Sequence, residues 1–88
     1  MLLTVVIQLN QLLKLSKLLY ESISGKQLCK IVEQKGWVVR RITGSHHIYE
    51  NPESEQILSI PVHRNQDLKI GTLKALMKIA QLSEEDLL

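Results

Sequence analysis

Three histidines, His46, His47 and His63, are the residues of this 88-residue chain best suited to chemistry at neutral pH. An imidazole group titrates near neutrality, so it can take a proton from one atom and give it to another without a metal. His46 follows Gly44 and Ser45, which have the composition of a tight turn, and the exposed N–H groups of such a turn can hold a phosphate. The pattern therefore indicates a site where a histidine meets a phosphodiester.

Three arginines close to the histidines in sequence, Arg40, Arg41 and Arg64, could help to bind phosphate oxygens. A histidine that deprotonates a ribose 2′-hydroxyl drives attack of that oxygen on the adjacent phosphate, a reaction that cleaves RNA and spares DNA. Spacing alone does not assign this reaction, because a single histidine on a strand is more often a structural hydrogen-bonding residue.

A metal site is not expected from the paired histidines. Neighbouring residues of a strand point to opposite faces, so His46 and His47 cannot readily bind one ion or reach one substrate atom. The chain also has no CxxC or HxxxH motif, the spacings that are typical of zinc sites. We therefore predict no metal and no other cofactor.

The composition is that of one small globular domain, with 44% hydrophobic and 23% charged residues. Aromatic residues make up only 3% of the chain, so any stacking platform for bases would be thin, and Trp37 is predicted to lie in the core and not to stack on a base. The single Cys29 cannot form an intramolecular disulfide. It is expected to be a buried apolar residue of a cytoplasmic protein.

Positive charge is concentrated in the body of the chain. Residues 23–82 have nine Lys or Arg against five Asp or Glu, whereas the last six residues have three acidic side chains. A basic body attracts a polyanion such as RNA through its phosphates. Basic patches are also common as plain solvated surface, so the charge alone does not assign a partner.

Residues 1–22 form an N-terminal extension that is rich in leucine. No basic residue precedes the apolar run and no small-residue cleavage site follows it, so a signal peptide is not expected. Polar residues interrupt the run well before the ~20 apolar positions of a membrane span, and no membrane contact is predicted. Two interpretations stay open: an arm that binds a partner or dimerises, and a segment merely appended to the domain.

The elements that must position the histidines begin after this extension, in a domain predicted over residues 23–88. Ser24 and Gln27 have the spacing of a capping box, and Gly36 ends the helix that follows them. Three runs of β-favouring residues follow, and turn residues separate one run from the next. The predicted strands are residues 37–42, 46–50 and 56–62.

A second amphipathic helix follows a polar loop, with Asp67 or Thr72 as its cap, and Ser83 with Asp86 is expected to cap a last short turn. The predicted order is α-β-β-β-α, an α+β fold in which helices cover one face of a three-stranded antiparallel sheet. Alternate residues of the third strand, Leu58, Ile60 and Val62, should face the core. The other face of the sheet is left free for a ligand or a partner.

Several motifs in residues 23–88 together resemble the HicA toxin family, although each motif alone is common. They are Ser24-Gly25-Lys26-Gln27-Leu28, Lys35-Gly36-Trp37, Gly44-Ser45-His46-His47, Ile60-Pro61-Val62-His63 and Gly71-Thr72-Leu73. The chain departs from the family pattern at Gln81, where a glycine commonly ends the second helix.

The resemblance implies a fold like that of double-stranded-RNA-binding domains and the toxin role of a type II toxin–antitoxin system. It implies ribosome-independent cleavage of mRNA, neutralisation by a HicB-type antitoxin, and contact with DNA only indirectly through the antitoxin complex. The family's catalytic histidine follows Gly-Ser, which makes it His46 in this chain. The candidates for assistance or phosphate binding are Gly44, Ser45, His63, Arg41 and Lys69.

Other interpretations remain open beside this one: a non-catalytic RNA-binding module, an inactive toxin remnant, and a protein that acts only through an antitoxin complex on DNA. His47 is expected to be an exposed or packing strand residue. His63 is either an opposing acid, a phosphate ligand or a cap of the loop before the second helix. Lys69 and Lys74 either form a rim that contacts RNA or belong to an ordinary solvated helix face.

Overall fold

The order of secondary-structure elements is the predicted one, α-β-β-β-α with a helical tail. A computed structural model describes residues 19–88, and the predictions for the N-terminal extension over residues 1–18 lie outside the described residues. The elements are α1 (Gly25–Gln34), β1 (Val38–Thr43), β2 (His46–Asn51), β3 (Ser54–Pro61), α2 (Ile70–Ala80) and a 3₁₀ helix (Glu84–Leu87).

The three strands form one antiparallel sheet in the order β1-β2-β3. Tyr49, Leu58 and Ile60 are buried and share one face of the sheet, and this is the face that the helices cover. The α+β prediction with an open second face is therefore confirmed, and the architecture is consistent with a fold like that of double-stranded-RNA-binding domains. β3 begins and ends earlier than predicted, so Val62 follows the strand and is only partly buried.

Helix α1 begins at the predicted capping box. The Gln27 N–H donates to Ser24 Oγ over 3.1 Å, and the Ser24 N–H donates to Gln27 Oε1 over 2.8 Å. Leu28 and Val32 are then fully buried on the inner face of the helix. Cys29 and Trp37 are buried as well, which confirms both as core residues.

Helix α2 begins at Ile70 with Lys69 at its N-cap and no side-chain cap, so the prediction of Asp67 or Thr72 as the cap was wrong. The reason is that the preceding chain is held in an extended conformation. The Leu68 N–H donates to the Ile23 carbonyl oxygen over 2.8 Å, and Asp67 forms an isolated bridge with Ser24. This pairing buries Leu68, and the helix therefore begins only after it, at Ile70.

The C-terminal turn is held against the end of α1. Ser83 and Asp86 form the predicted capping box around the 3₁₀ helix, and Lys35 Nζ lies 2.7 Å from Asp86 Oδ1. This ammonium group lowers the pKa of the Asp86 carboxyl. The tail is therefore part of the packed domain, and Leu87 is buried in its core.

Gly25 is buried where the first turn of α1 meets the end of β3. A side chain at this position would overlap the Pro61 carbonyl oxygen and press on Val62 Cα. The glycine therefore allows α1 to pack directly against the backbone that leaves β3.

Replacing Gly25 with alanine should lower the free energy of unfolding by about 1–3 kcal/mol, because the added methyl group overpacks a backbone contact. Equilibrium urea unfolding measures the change. Gly71→Ala is the control, since Gly71 lies in α2 with open space around it and should instead gain about 0.5–1 kcal/mol from helix propensity. Equal stability of Gly25→Ala and the native chain would show that the contact imposes no constraint.

Helix α2 ends at Gln81, which takes the left-handed conformation with φ +57° where a glycine is usual. This conformation leads to a second prediction. Gln81→Gly should raise the free energy of unfolding by about 0.5–1 kcal/mol, since it removes backbone strain at a modest cost in unfolded-state entropy. Urea unfolding of Gln81→Ala, which keeps the Cβ, is the matched control. Equal stabilisation by both variants would rule out backbone strain as the cause.

Candidate active site

The two adjacent histidines of β2 lie on opposite faces of the sheet. One face of the strand presents His46, Ile48 and Glu50, and the other presents His47, Tyr49 and Asn51. Tyr49 is only 2% exposed beneath the helices, which identifies its side as the covered face. His46 is exposed on the open face, whereas His47 is half-buried towards the helices.

Tyr49 holds β2 against α1 three residues from His46. Its hydroxyl group donates to Glu33 Oε2 over 2.9 Å. Burial, together with the neighbouring Cys29 and Glu33, raises the pKa of the Tyr49 phenol far above its ordinary value. The phenol therefore stays protonated and remains a donor, and β2 keeps the register that exposes His46.

The turn before His46 is a two-residue hairpin connection. Thr43 pairs with His46 across it, and Gly44 has φ +58°, a conformation that favours glycine. No heavy atom lies within 4 Å of the position that a Gly44 side chain would occupy, so the backbone conformation explains the glycine and steric crowding does not. The Ser45 carbonyl oxygen accepts a 2.6 Å bond from the Val62 N–H, which holds the turn against the end of β3.

Arg41 shares the open face with His46 and lies near it, whereas the side chain of Arg40 extends towards Glu50, away from His46. Arg41 pairs with Ile48, so it is a diagonal neighbour of His46, at a Cα separation of roughly 7–8 Å in such sheets. Arg40 occupies a β-bulge, and its Nη1 lies 3.9 Å from Glu50 Oε2 near the other end of β2. The structure thus places one of the two adjacent arginines where it can contact a phosphate at His46.

His63 and Lys69 line one open pocket near the end of β3. The pocket has a volume of about 280 Å³ and is lined by Pro61, His63, Gln66, Asp67, Leu68, Lys69 and Thr72. Pro61 is the direct β-sheet partner of His46, so one lining residue of the pocket neighbours the histidine, which does not itself line the pocket. The first turn of α2 also begins here without a side-chain cap, and its partial positive charge favours an anion.

The loop before α2 is closed by a backbone hydrogen bond at His63 and not by the His63 side chain. The His63 carbonyl oxygen accepts a 2.9 Å bond from the Gln66 N–H, so the turn is closed by backbone alone. Lys74 lies elsewhere, with its ammonium group 5.0 Å from the centre of the Tyr20 ring. Lys69 and Lys74 therefore have different surroundings.

Sequence reasoning did not single out Gln66, and it considered Thr72 as a helix cap and not as a pocket residue, although both line this pocket. The only signal for them is their position on either side of a helix start, which is too common to select residues.

Among residues 19–88, no three His, Cys, Asp or Glu side chains are grouped closely enough to hold a metal ion. No helix in this part of the chain is long and apolar enough to cross a membrane.

Comparison with known proteins agrees with the resemblance seen in the motifs. Residues 25–82 match the family model described as the HicA toxin of bacterial toxin–antitoxin systems. The matched region contains both helices, the whole sheet, the turn at Gly44 and all three histidines. No curated protein matches the chain.

Proposed function

The chain belongs to the HicA toxin family of bacterial toxin–antitoxin systems, and from this premise we propose that it is a metal-independent endoribonuclease whose catalytic residue is His46. The observation that carries the proposal is the exposure of His46 on the open sheet face, beside a glycine turn and diagonal to Arg41. Its substrate is mRNA, cleaved without the ribosome.

The proposed reaction uses His46 as a general base. Its imidazole takes the proton of a ribose 2′-hydroxyl, and the 2′-oxygen attacks the adjacent phosphorus. The bond from phosphorus to the 5′-oxygen breaks, and that oxygen receives a proton from a general acid, for which His63 is the candidate. The products are a 2′,3′-cyclic phosphate and a 5′-hydroxyl, and the mechanism requires RNA because DNA has no 2′-hydroxyl.

Cations around His46 support the proposal because negative charge builds up on the phosphate oxygens in the transition state. Arg41 is exposed on the same face and can form charge-assisted hydrogen bonds to these oxygens. No heavy atom lies within 4 Å of the position that a Gly44 side chain would occupy, so a phosphate can approach the turn closely on this side. In the proposed complex Lys69 and the uncapped start of α2 hold the phosphate of a neighbouring nucleotide, and their position at one pocket supports this role.

Membership of a toxin–antitoxin family implies an antitoxin partner, and we assign this partner to the HicB type. The antitoxin neutralises the toxin in the cytoplasm, and contact of the toxin with DNA is indirect, through their complex.

His46→Ala should reduce the rate of RNA cleavage by about 10²–10⁴-fold, the range expected for loss of a general acid or base. Cleavage of a labelled RNA by equal amounts of folded protein measures the effect, and growth after induction provides a cellular readout. His47→Ala is the matched control, because it removes the same side chain one position along and on the opposite face. It should retain most of the activity.

Equal cleavage by the native chain and His46→Ala would assign His46 a structural role. If the native chain binds RNA but gives no cleavage with protein in excess over RNA, the nuclease proposal fails and the chain is an RNA-binding module.

A further inference from the structure

Strand β1 is a sheet edge whose six residues are all exposed. It pairs with β2 on one side, and no other strand of residues 19–88 pairs with its second side. The backbone N–H and C=O groups along this side are therefore a template for another strand. A strand edge of this length can bind an extended peptide segment through main-chain hydrogen bonds.

The apolar side chains of β1 are left uncovered by the helices. Val39 pairs with Tyr49 and Ile42 pairs with His47, so both lie on the side of the sheet that carries the core. Even so, Val39 is 45% exposed and Ile42 is 60% exposed. The core covers β2 and β3 and ends before the edge, leaving an apolar strip where an added strand would bury side chains.

The positive charge of β1 favours an acidic strand over a second copy of this chain as the partner at this edge. Antiparallel pairing with β1 of a second copy would bring Arg40 and Arg41 of each chain close to those of the other, and like charges across a strand pair are destabilising. A strand with acidic side chains avoids this repulsion, because the two arginines then become attractive partners.

We propose that the edge of β1 binds an extended, acidic segment of the antitoxin as a fourth strand of the sheet, an inference that rests on the proposed toxin function. Apolar residues of that segment cover Val39 and Ile42, and its carboxylates lie near Arg40 and Arg41. Since Thr43 is the neighbour of His46, the added strand runs roughly 10 Å from His46, two strand spacings away. Docking at this edge therefore brings the antitoxin beside the open face.

Hydrogen–deuterium exchange of the full chain, alone and with its cognate antitoxin, tests the proposal directly. Amides of β1 that face away from β2 should exchange about tenfold more slowly, or slower still, in the complex because they gain hydrogen-bond partners. A complex that forms while residues 38–43 keep the exchange rates of the free chain would overturn the proposal.

A variant measures the contribution of the apolar strip. Ile42→Glu should raise the Kd for the antitoxin by about tenfold or more, because a carboxylate replaces an apolar contact and opposes an acidic strand. Ala75→Glu adds the same charge at an exposed position of α2 and should leave the Kd within about twofold. Circular dichroism confirms that both variants are folded.

Unchanged binding of Ile42→Glu, or equal weakening by both variants, contradicts docking at this edge. Self-association of the free chain that Ile42→Glu abolishes would assign the edge to a second copy and would also overturn the proposal. The test is separate from that of the nuclease, because RNA cleavage is measured without antitoxin and β1 protection is measured without RNA.

Discussion

Burial of Tyr49 is the constraint on which the candidate site depends. Side chains of a strand alternate between faces, so a slip of one residue in β2 would exchange the positions of His46 and His47. Tyr49 prevents this slip, because its ring is in the core opposite Leu58 and its hydroxyl bonds to Glu33 on α1. The contact that completes the core thus determines which histidine is exposed on the open face.

A second set of contacts holds the loop residues near that histidine. The first turn of α1 packs through Gly25 against the backbone at Pro61, and the next residue, Val62, donates to the carbonyl of the turn before His46. The chain then pairs with the segment before α1 and enters α2, which places Lys69 at the pocket that His63 also lines. Helix packing, strand pairing and the pocket are consequently parts of one arrangement, whereas β1 contributes little to the core and stays open at its edge.

Much of this fold follows from local sequence signals. The capping box at Ser24, the alternation in β3 and the turn at Gly44 each have a pattern that acts over a few residues, and these predictions are confirmed. The start of α2 was predicted wrongly, because Leu68 is held by a distant strand-like pairing that no local pattern reveals. The exposure of Ile42 was likewise not predictable, since the alternation of a strand does not tell how far a helix reaches across the sheet.

The most direct test of the account is the chemical nature of the ends produced when the native chain cleaves RNA in the presence of EDTA. A histidine that activates the 2′-hydroxyl predicts a 2′,3′-cyclic phosphate and a 5′-hydroxyl, with no loss of rate from the chelator and no cleavage at a 2′-deoxy nucleotide. Products with a 5′-phosphate, or cleavage that persists after the 2′-hydroxyl is removed, would contradict it.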